Sequence, residues 1–527
     1  MAHATNNNPS ADASLPETKY IDMVKHVINI RVLGVLEELR LSERSIYKVP
    51  CTLRKVKEEA YTPLCISIGP IHLGKQELEP MQEHKLRYFQ FFLKRVSYEA
   101  MKTYKHYLET NEKQIRQCYA EKFPGMAQEK FVDMMLLDAV FIMELLLRNC
   151  ELKSQSFKHE QKHKESKSFR GRNSEDLIMT QSWLSRNITR DLILIENQIP
   201  FFVLQKLYDD VVTCVKEKEE QHTSFVDLTI EYFAFYDSQM SSLNENETKK
   251  HYFCGLLRKS KSKDESPKPF TVVRRSGSEE PCISKSEDNG SKETCKSENK
   301  NSCCKPEHFT DLIRWFYLPT ECNIGHADQV LRTATKLQDS GVSFEKDDMD
   351  GRLLDITFDK TPILSSFLCF GCSPLLNQFK ARVRIPQLKV DHNTECIFRN
   401  LIAFEQCHYP EKPYICNYVS LIDSLIHTQL DVELLVEKEV IVHELGSHKD
   451  VASLVNGLCK HVVTNSTCYS DTINKLNDHY MNDWNHTVAA LRLVYFRDLW
   501  RASGTVVGIV VLVFAVFQFL RVWRYLF

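Results

Sequence analysis

The spacing of apolar residues predicts a mainly helical protein. Residues 21–41 and 131–148 repeat apolar side chains at helical intervals, and residues 82–108 form a long, aromatic-rich segment of the same kind. Residues 184–215 continue the pattern with an interruption at Pro200, which suits the first turn of a new helix. We therefore expect several buried helices.

A few short strands complete the expected α+β body. Residues 48–70 combine short apolar runs with three prolines and a glycine, which favours short strands and turns. Residues 354–358 and 381–390 alternate in the manner of strands. The second segment contains Pro386, which predicts an edge strand or an irregular one.

Helices resume after residue 395, and one of them has clear boundaries. Gly446 ends a segment, Ser447 can cap the next helix, and Asp450 lies in its first turn. One face of this helix then carries Val451, Leu454, Val455, Leu458 and Val462.

Polar stretches predict the domain boundaries. Residues 1–20 are a polar leader, and residues 259–305 are dominated by Ser, Lys, Glu and Asn, so both are expected to be disordered. The second stretch separates a helical N-terminal part, 21–258, from a C-terminal part, 306–500. Residues 151–176 form a further polar insertion within the first part.

The C-terminal end predicts a membrane helix. Residues 502–520 are almost entirely apolar, and as a helix they approach the ~30 Å thickness of a bilayer core. The alternative, a buried core helix, would ordinarily have a polar face. A short tail, 521–527, follows, and the flanking anchor residues are Trp500, Arg501, Arg521, Trp523 and Arg524.

A tail anchor of this kind places the body in the cytosol, on a plasma or internal membrane. The N-terminus does not resemble a signal peptide, so the 18 cysteines are expected to be mostly buried thiols. N-glycosylation sequons matter only if the body is lumenal, and they lie at Asn187, Asn246, Asn289, Asn465 and Asn485. Gly504 and Gly508 have the spacing of a helix-pairing motif, which leaves a homodimer open but unsupported.

Composition excludes some classes of protein. The chain of 527 residues is 43% hydrophobic and 26% charged, which is typical of a globular protein. Its formal net charge of −2 gives no general attraction to nucleic acid. A basic run at 153–172 could contact anionic lipid or an acidic protein, or could be a solvated loop.

Several strings resemble the plant family catalogued as domain of unknown function 247. They are AYTPLCISIGPIHLG at 60–74, EHKLRYF at 83–89, DLILIENQIPFFVLQKL at 191–207, ATKLQDSGVSF at 334–344, LLDITF at 353–358 and TECIFRNLIAFEQ at 394–406. The chain departs from the family in carrying only His72 after the IGP turn, and in having Asp138-Ala139 where many members have Asp-Gly. The resemblance implies a mainly helical plant protein with a C-terminal membrane segment and no agreed activity. For some grass members it implies a role in pollen self-incompatibility.

No metal or cofactor is expected. Cys369 and Cys372 have CxxC spacing without a second pair at zinc-finger distance. A cluster of thiols and imidazoles leaves a structural metal as the weaker alternative to unligated side chains; its members are Cys303, Cys304, His308, Cys322 and His326. The chain lacks the common nucleotide-binding and hydrolase motifs.

Acidic residues on apolar stripes are the sharpest chemical signal. Asp138, Glu196 and Glu405 each share a helical face with apolar side chains, and a buried carboxylate must be paired, hydrogen-bonded or protonated. The polar neighbours that could complete a buried network are Asn197, Gln198, Arg399, Asn400 and Gln406. These acids could fix packing, or could act as general acid and base.

Two functions therefore remain. The first is a membrane-tethered recognition or signalling protein that acts through an unidentified protein partner. The second is a membrane-tethered hydrolase that uses the buried carboxylates. An exposed carboxylate pair in a cleft would favour the hydrolase, whereas fully buried and bonded acids would favour the scaffold.

Overall fold

A computed structural model of the chain describes residues 44–161, 176–212, 224–237, 305–319, 322–347, 352–360, 381–495 and 499–526. The predictions for the leader 1–20, the helical segment 21–41, the linker up to residue 304 and the CxxC pair lie outside these residues. The described residues are mainly helical with few short strands, which confirms the predicted fold class.

The helices of the N-terminal part pack around one long central helix. These are α1 (Cys51–Arg54), α2 (Pro80–Leu93), α3 (Tyr98–Thr110), α4 (Glu112–Gln117), α5 (Gln128–Gln161), α6 (Leu177–Thr180), α7 (Ser182–Asp191), α8 (Phe201–Leu207) and α9 (Phe225–Asp237). Helices α2, α3, α8 and α9 contact α5. The segment predicted to be a buried helix, 131–148, lies inside α5, and Phe131 and Phe141 are fully buried there.

The C-terminal part contains the strands. They are β1 (Val342–Lys346), β2 (Thr357–Lys360), β3 (Ala381–Ile385), β4 (Leu388–Val390) and β5 (Ile441–His443). β3 lies at the centre of a three-stranded sheet, parallel to β1 and antiparallel to β2, while β4 and β5 form a parallel pair. Of the two alternatives predicted for 381–390, the edge strand is wrong for β3, whereas the interruption at Pro386 fits the irregular strand. The segment divides so that Pro386 falls between two strands, where its missing N–H removes no ladder bond.

The remaining helices of the body are α10 (Phe309–Tyr317), α11 (Ala334–Asp339), α12 (Thr394–His408), α13 (Tyr414–Leu425), α14 (Gln429–Glu437), α15 (His448–Leu458), α16 (Ser470–Met481) and α17 (Asp483–Tyr495). The Ser447 hydroxyl accepts a hydrogen bond from the Asp450 amide, as expected for the cap of α15. α12 packs against α10, α13 and α15 and also against the short helix Glu58–Tyr61 of the N-terminal part. One hydrophobic core runs through both parts.

Three N-terminal predictions need correction. Residues 48–70 form α1, the 3₁₀ helix Glu58–Tyr61 and irregular backbone rather than strands. Residues 82–108 are divided between α2 and α3, because Ser97 adopts an extended conformation and caps α3. The predicted insertion at 151–176 begins as helix, since α5 continues to Gln161.

The segment predicted as helix at 184–215 contains a buried irregular loop. α7 ends at Asp191 and α8 begins at Phe201, directly after Pro200. Residues 192–200 between them are all buried. The apolar spacing that suggested helix up to Pro200 reflects burial alone, not helical periodicity.

The chain ends in α18 (Leu499–Leu526). Within the described residues, Ser503–Arg524 is the one helical stretch long and apolar enough to cross a membrane, and none of it is buried against the body. The stretch is therefore not packed as the buried core helix that was the alternative. Gly504 and Gly508 have open space around them.

The cysteines differ from the expectation of mostly buried thiols. Cys322 and Cys468 form a disulfide with their Cα atoms 5.4 Å apart. Among the others, Cys396 and Cys416 are buried, whereas Cys51 is exposed. The spacing of the cysteines in the sequence could not predict this pairing, because the two residues meet only in the folded chain.

Candidate functional site: a buried polar network around residues 64–72

Residues 64–72, the string LCISIGPIH, run through the interior without regular structure, so their backbone amides need other acceptors. The Asp191 carboxylate accepts hydrogen bonds from the three amides of residues 64–66, at 2.9, 2.6 and 3.0 Å. The Asn197 side chain accepts one from Ile68 at 2.7 Å. Two side chains from one stretch of sequence thus replace the strand partner that this segment lacks.

Asp138, on α5, holds the turn that follows. Its carboxylate accepts from the Gly69 amide at 2.8 Å and pairs with the Lys85 ammonium at 2.5 Å. Lys85 also donates to the Ser67 carbonyl. Burial raises the pKa of Asp138, and the Lys85 charge and the two hydrogen bonds oppose that rise. The pair is fully enclosed, with each residue 1% exposed.

Gly69 has a positive φ of 72° and lies against Gln198, where an added Cβ would be 2.4 Å from the Gln198 carbonyl oxygen. The Gln198 side chain donates to the carbonyls of Leu192 and Leu194 at 2.6 and 2.8 Å. It also accepts from the Phe309 amide at 3.0 Å. Gln198 therefore stabilises the 192–200 loop and ties it to α10.

Glu196 lies in the same loop and is 2% exposed. It accepts from the Val49 amide at 2.7 Å, pairs with Arg54, and has His72 Nε2 at 3.2 Å. Burial alone would raise the pKa of Glu196, but the bonds from His72, Arg54 and Val49 outweigh it and hold the pKa below its usual 4.5. Its burial thus comes from a loop and not from the helical stripe inferred from the sequence.

Glu405 lies on α12 as predicted and is fully buried. It accepts from Arg314 Nε at 2.7 Å and from the Cys416 amide at 3.0 Å. Burial raises the pKa of Glu405, against the opposing charge of Arg314. This carboxylate joins α12 to α10 and α13.

The polar neighbours proposed as partners occupy different positions. Asn400 is buried and bridges the two parts of the body, accepting from the Ile195 amide at 3.1 Å and donating to the Ala60 carbonyl at 2.8 Å. Gln406 is only half-buried and exchanges two hydrogen bonds with the backbone of Val463. Neither residue contacts the predicted acids through these bonds.

Arg399 is buried but pairs with Glu395 on its own helix, at 2.9 Å. Arg314, which the sequence analysis missed, is the cation beside Glu405. Neighbours in sequence could not identify it, because α10 and α12 meet only in the folded chain.

Lys85 could have been found from the sequence. It lies with Met81, Tyr88 and Phe92 at helical spacing, and all four are buried on one face of α2. A lysine on such a face implies a buried anion. Asp191 gave a weaker signal, because it ends a helix rather than lying within an apolar stripe.

The network fixes backbone and does not form an open site. Asp138 and Glu196 reach the same segment, at Gly69 and His72, while Glu405 binds Arg314 and Cys416 elsewhere. Among the residues described, no group of three or more His, Cys, Asp or Glu side chains is placed to hold a metal ion. Carboxylates already engaged by amides and cations are suited to holding irregular backbone in place.

Comparison with known proteins identifies the family. A family model described as "Plant protein of unknown function", domain of unknown function 247, matches residues 46–514. The UPF0481 protein At3g47200 of Arabidopsis thaliana is 26% identical over 483 residues, covering 88% of this chain and 83% of that protein. The putative UPF0481 protein At3g02645 of the same plant is 25% identical over 549 residues, covering 96% of each. No solved structure matches the chain. Because the family model spans most of the chain, including the first half of the terminal helix, the chain belongs to this family of plant proteins of unknown function.

Proposed function

We propose that this protein is a membrane-tethered plant protein that acts in recognition or signalling through contacts with another protein. The main support for a membrane tether is the terminal stretch Ser503–Arg524, which makes no buried contact with the body. Its large side chains, such as Phe514 and Phe517, are about two-thirds exposed or more, at 67% and 71%. An apolar surface of this length needs a lipid environment or an equally apolar partner.

The ends of the helix support the same placement. Arg521 and Arg524 follow the apolar stretch, and Trp523 lies between them. Long cationic side chains can extend to the headgroups, and tryptophan prefers the membrane interface. This pattern supports one crossing with the body on the opposite side from the tail.

The state of the acids supports recognition over catalysis. Asp138, Glu196 and Glu405 are each at most 2% exposed and each binds an amide and a cation. A hydrolase would need such a carboxyl to reach a substrate or water. A role in pollen self-incompatibility, as the family resemblance implies for some grass members, is one form that this recognition would take.

The tether is tested by truncation after Arg501. We expect the truncated chain to move from carbonate-washed membranes to the soluble fraction without unfolding. The matched full-length variants are Val510→Arg with Phe514→Arg, which should weaken insertion, and Val510→Leu with Phe514→Leu, which should not. Charges at the centre of a membrane helix cost about 2.5–3.5 kcal/mol each. Retention of the truncated chain on washed membranes would refute the tether.

The role in recognition is tested by proximity labelling from the intact protein and from the truncated one. We expect the intact chain to label a specific protein in pollen or vegetative plant cells, and a variant with a disrupted body to lose it. Measurable hydrolysis that is abolished by Glu196→Gln, with stability preserved, would support the hydrolase instead.

The sequence predicted that the body faces the cytosol. The Cys322–Cys468 disulfide weighs against that orientation, since disulfides are rare where glutathione keeps thiols reduced.

A further inference from the structure

The disulfide lies at a small, well-defined junction. Cys322 precedes α11 and Cys468 precedes α16, and the neighbouring residues Gly325 and Thr467 exchange both backbone hydrogen bonds, at 3.0 and 2.8 Å. The backbone pairing holds the two segments together independently of the sulfur atoms. Two cysteines brought together in this way will form a disulfide wherever an oxidant is available.

A glycosylation sequon adjoins this disulfide. Asn465-Ser466-Thr467 ends one residue before Cys468, in the irregular loop between α15 and α16. Asn465 is exposed. A glycan attached here would extend into solvent without displacing any helix or strand.

Two other sequons in the described chain differ from this one. Asn485 lies in α17, is half-buried, and its side chain donates to the His479 carbonyl at 2.7 Å. Asn187 lies within α7 and is also half-buried, with a side-chain hydrogen bond to Cys65. A glycan at either position would break an existing contact.

We infer that the body faces an oxidising compartment, the secretory lumen or the cell exterior, and that Asn465 carries an N-linked glycan there. The disulfide favours such a compartment, and the exposed sequon beside it would be accessible to glycosylation there. The site would take an oligosaccharide from a lipid pyrophosphate donor.

Glycosylation and disulfide formation each have a reaction partner in that compartment, a glycosyl donor for the first and an oxidant for the second. The Asn465 amide nitrogen bonds to the anomeric carbon of the sugar, the bond from that carbon to the lipid pyrophosphate breaks, and the amide proton leaves to a base. Cys322 and Cys468 lose two protons and two electrons to the disulfide of a thiol-exchange protein, which is reduced to a dithiol.

Two of the other thiols, those of Cys396 and Cys407, are compatible with such a compartment. Burial raises the pKa of Cys396 and that of Cys407 to about 11, so both stay protonated at neutral pH. The thiolate is the form that attacks disulfides. The Cys396 and Cys407 thiols are therefore slow to attack a disulfide.

The test uses the full-length chain made in plant cells. Membranes are digested with a peptide N-glycosidase in heavy-oxygen water, which converts each glycosylated asparagine to labelled aspartate, and peptides are mapped by mass spectrometry. We expect label at Asn465 and none at Asn485. Asn465→Gln should remove one glycan from the intact protein, and the matched variant Asn485→Gln should remove none.

Protease added to sealed microsomes, whose interior is the secretory lumen and corresponds to the cell exterior, supplies a second measurement. We expect the body to be protected, and its Cys322–Cys468 peptide to be recovered as a disulfide after alkylation. An unlabelled Asn465, or a body digested in closed vesicles, would overturn the inference. The anchor is tested separately: a glycosylated chain that washes off membranes would refute the tether alone, and a retained, unglycosylated chain would refute this inference alone.

Discussion

The pKa values of the buried carboxyls in this protein are shifted in opposite directions because their neighbours differ. Burial raises the pKa of Asp191, whose partners are mainly backbone amides, and it also raises that of Glu405. Glu196 is held below its usual pKa, because two basic side chains and an amide converge on it. Their contributions to stability must therefore change with pH in opposite directions.

Glu196→Gln tests this at a single residue. A lowered pKa in the folded state stabilises the fold above pH ~4.5, and that contribution is lost as pH falls through the folded-state pKa. We expect the substitution to lower the free energy of unfolding by about 2 kcal/mol at pH 7, with the deficit shrinking below pH ~4.5. Chemical denaturation of the detergent-solubilised chain across this range measures it.

Glu405→Gln is the matched control. A raised folded-state pKa means that the native state favours the protonated carboxyl, so the wild-type chain loses this stabilisation as pH rises above ~4.5. The pH-dependent part of the difference should therefore have the opposite sign. The same sign for both substitutions would contradict the assigned environments.

At the residue level, the spacing of residues in the sequence identified which side chains are buried, but not which residues they pair with. Asp138 and Glu405 lie on the helical faces where periodicity placed them. Their cations, Lys85 and Arg314, come from helices distant in sequence. A one-dimensional pattern records that a side chain is enclosed, but not which other segment encloses it.

Two irregular segments, 64–72 and 192–200, support each other in place of a sheet. Asp191, which directly precedes the second segment, and Asn197, which lies in it, accept hydrogen bonds from backbone amides of the first segment. The sequence predicted strands for one and helix for the other, because apolar residues bounded by proline fit both patterns. Local propensity failed where side chains replace backbone ladders.

Gly69→Ala tests how closely these segments fit. Gly69 and Gly74 both have positive φ, at 72° and 81°, so alanine strains the backbone by roughly 1–2 kcal/mol at either position. Only at Gly69 does the new Cβ also meet backbone, 2.4 Å from the Gln198 oxygen, whereas Gly74 has open space. We expect Gly69→Ala to lower the thermal midpoint by several degrees more than Gly74→Ala. Equal shifts of the thermal midpoint would show that the 192–200 loop moves away from the new Cβ without a measurable loss of stability.

At the scale of the whole chain, the N-terminal and C-terminal parts of the body share one hydrophobic core and are joined by polar bridges. The sequence predicted the helical class and the terminal apolar helix, since both depend on local composition. It could not predict the disulfide or the bridges made by Asn400, because these require residues 146 and 340 positions apart to meet.

Removal of the disulfide tests its share in this assembly. The bond spans a sequence separation of 146, and the chain-entropy account assigns about 4–5 kcal/mol to a loop of that size. We expect the double variant Cys322→Ser with Cys468→Ser to melt several degrees lower and to become insensitive to reductant. Cys51→Ser, at an exposed thiol, is the control and should behave as wild type.

The acceptors of residues 64–72 also constrain how the protein is made. The Leu64, Cys65 and Ile66 amides have no acceptor until Asp191 is synthesised, more than a hundred residues later. The Ala60 carbonyl meets Asn400 only across a separation of 340. Contacts so distant form late and slowly. The first part to leave the ribosome will therefore remain accessible to chaperones at least until the segment around Asn400 has been synthesised.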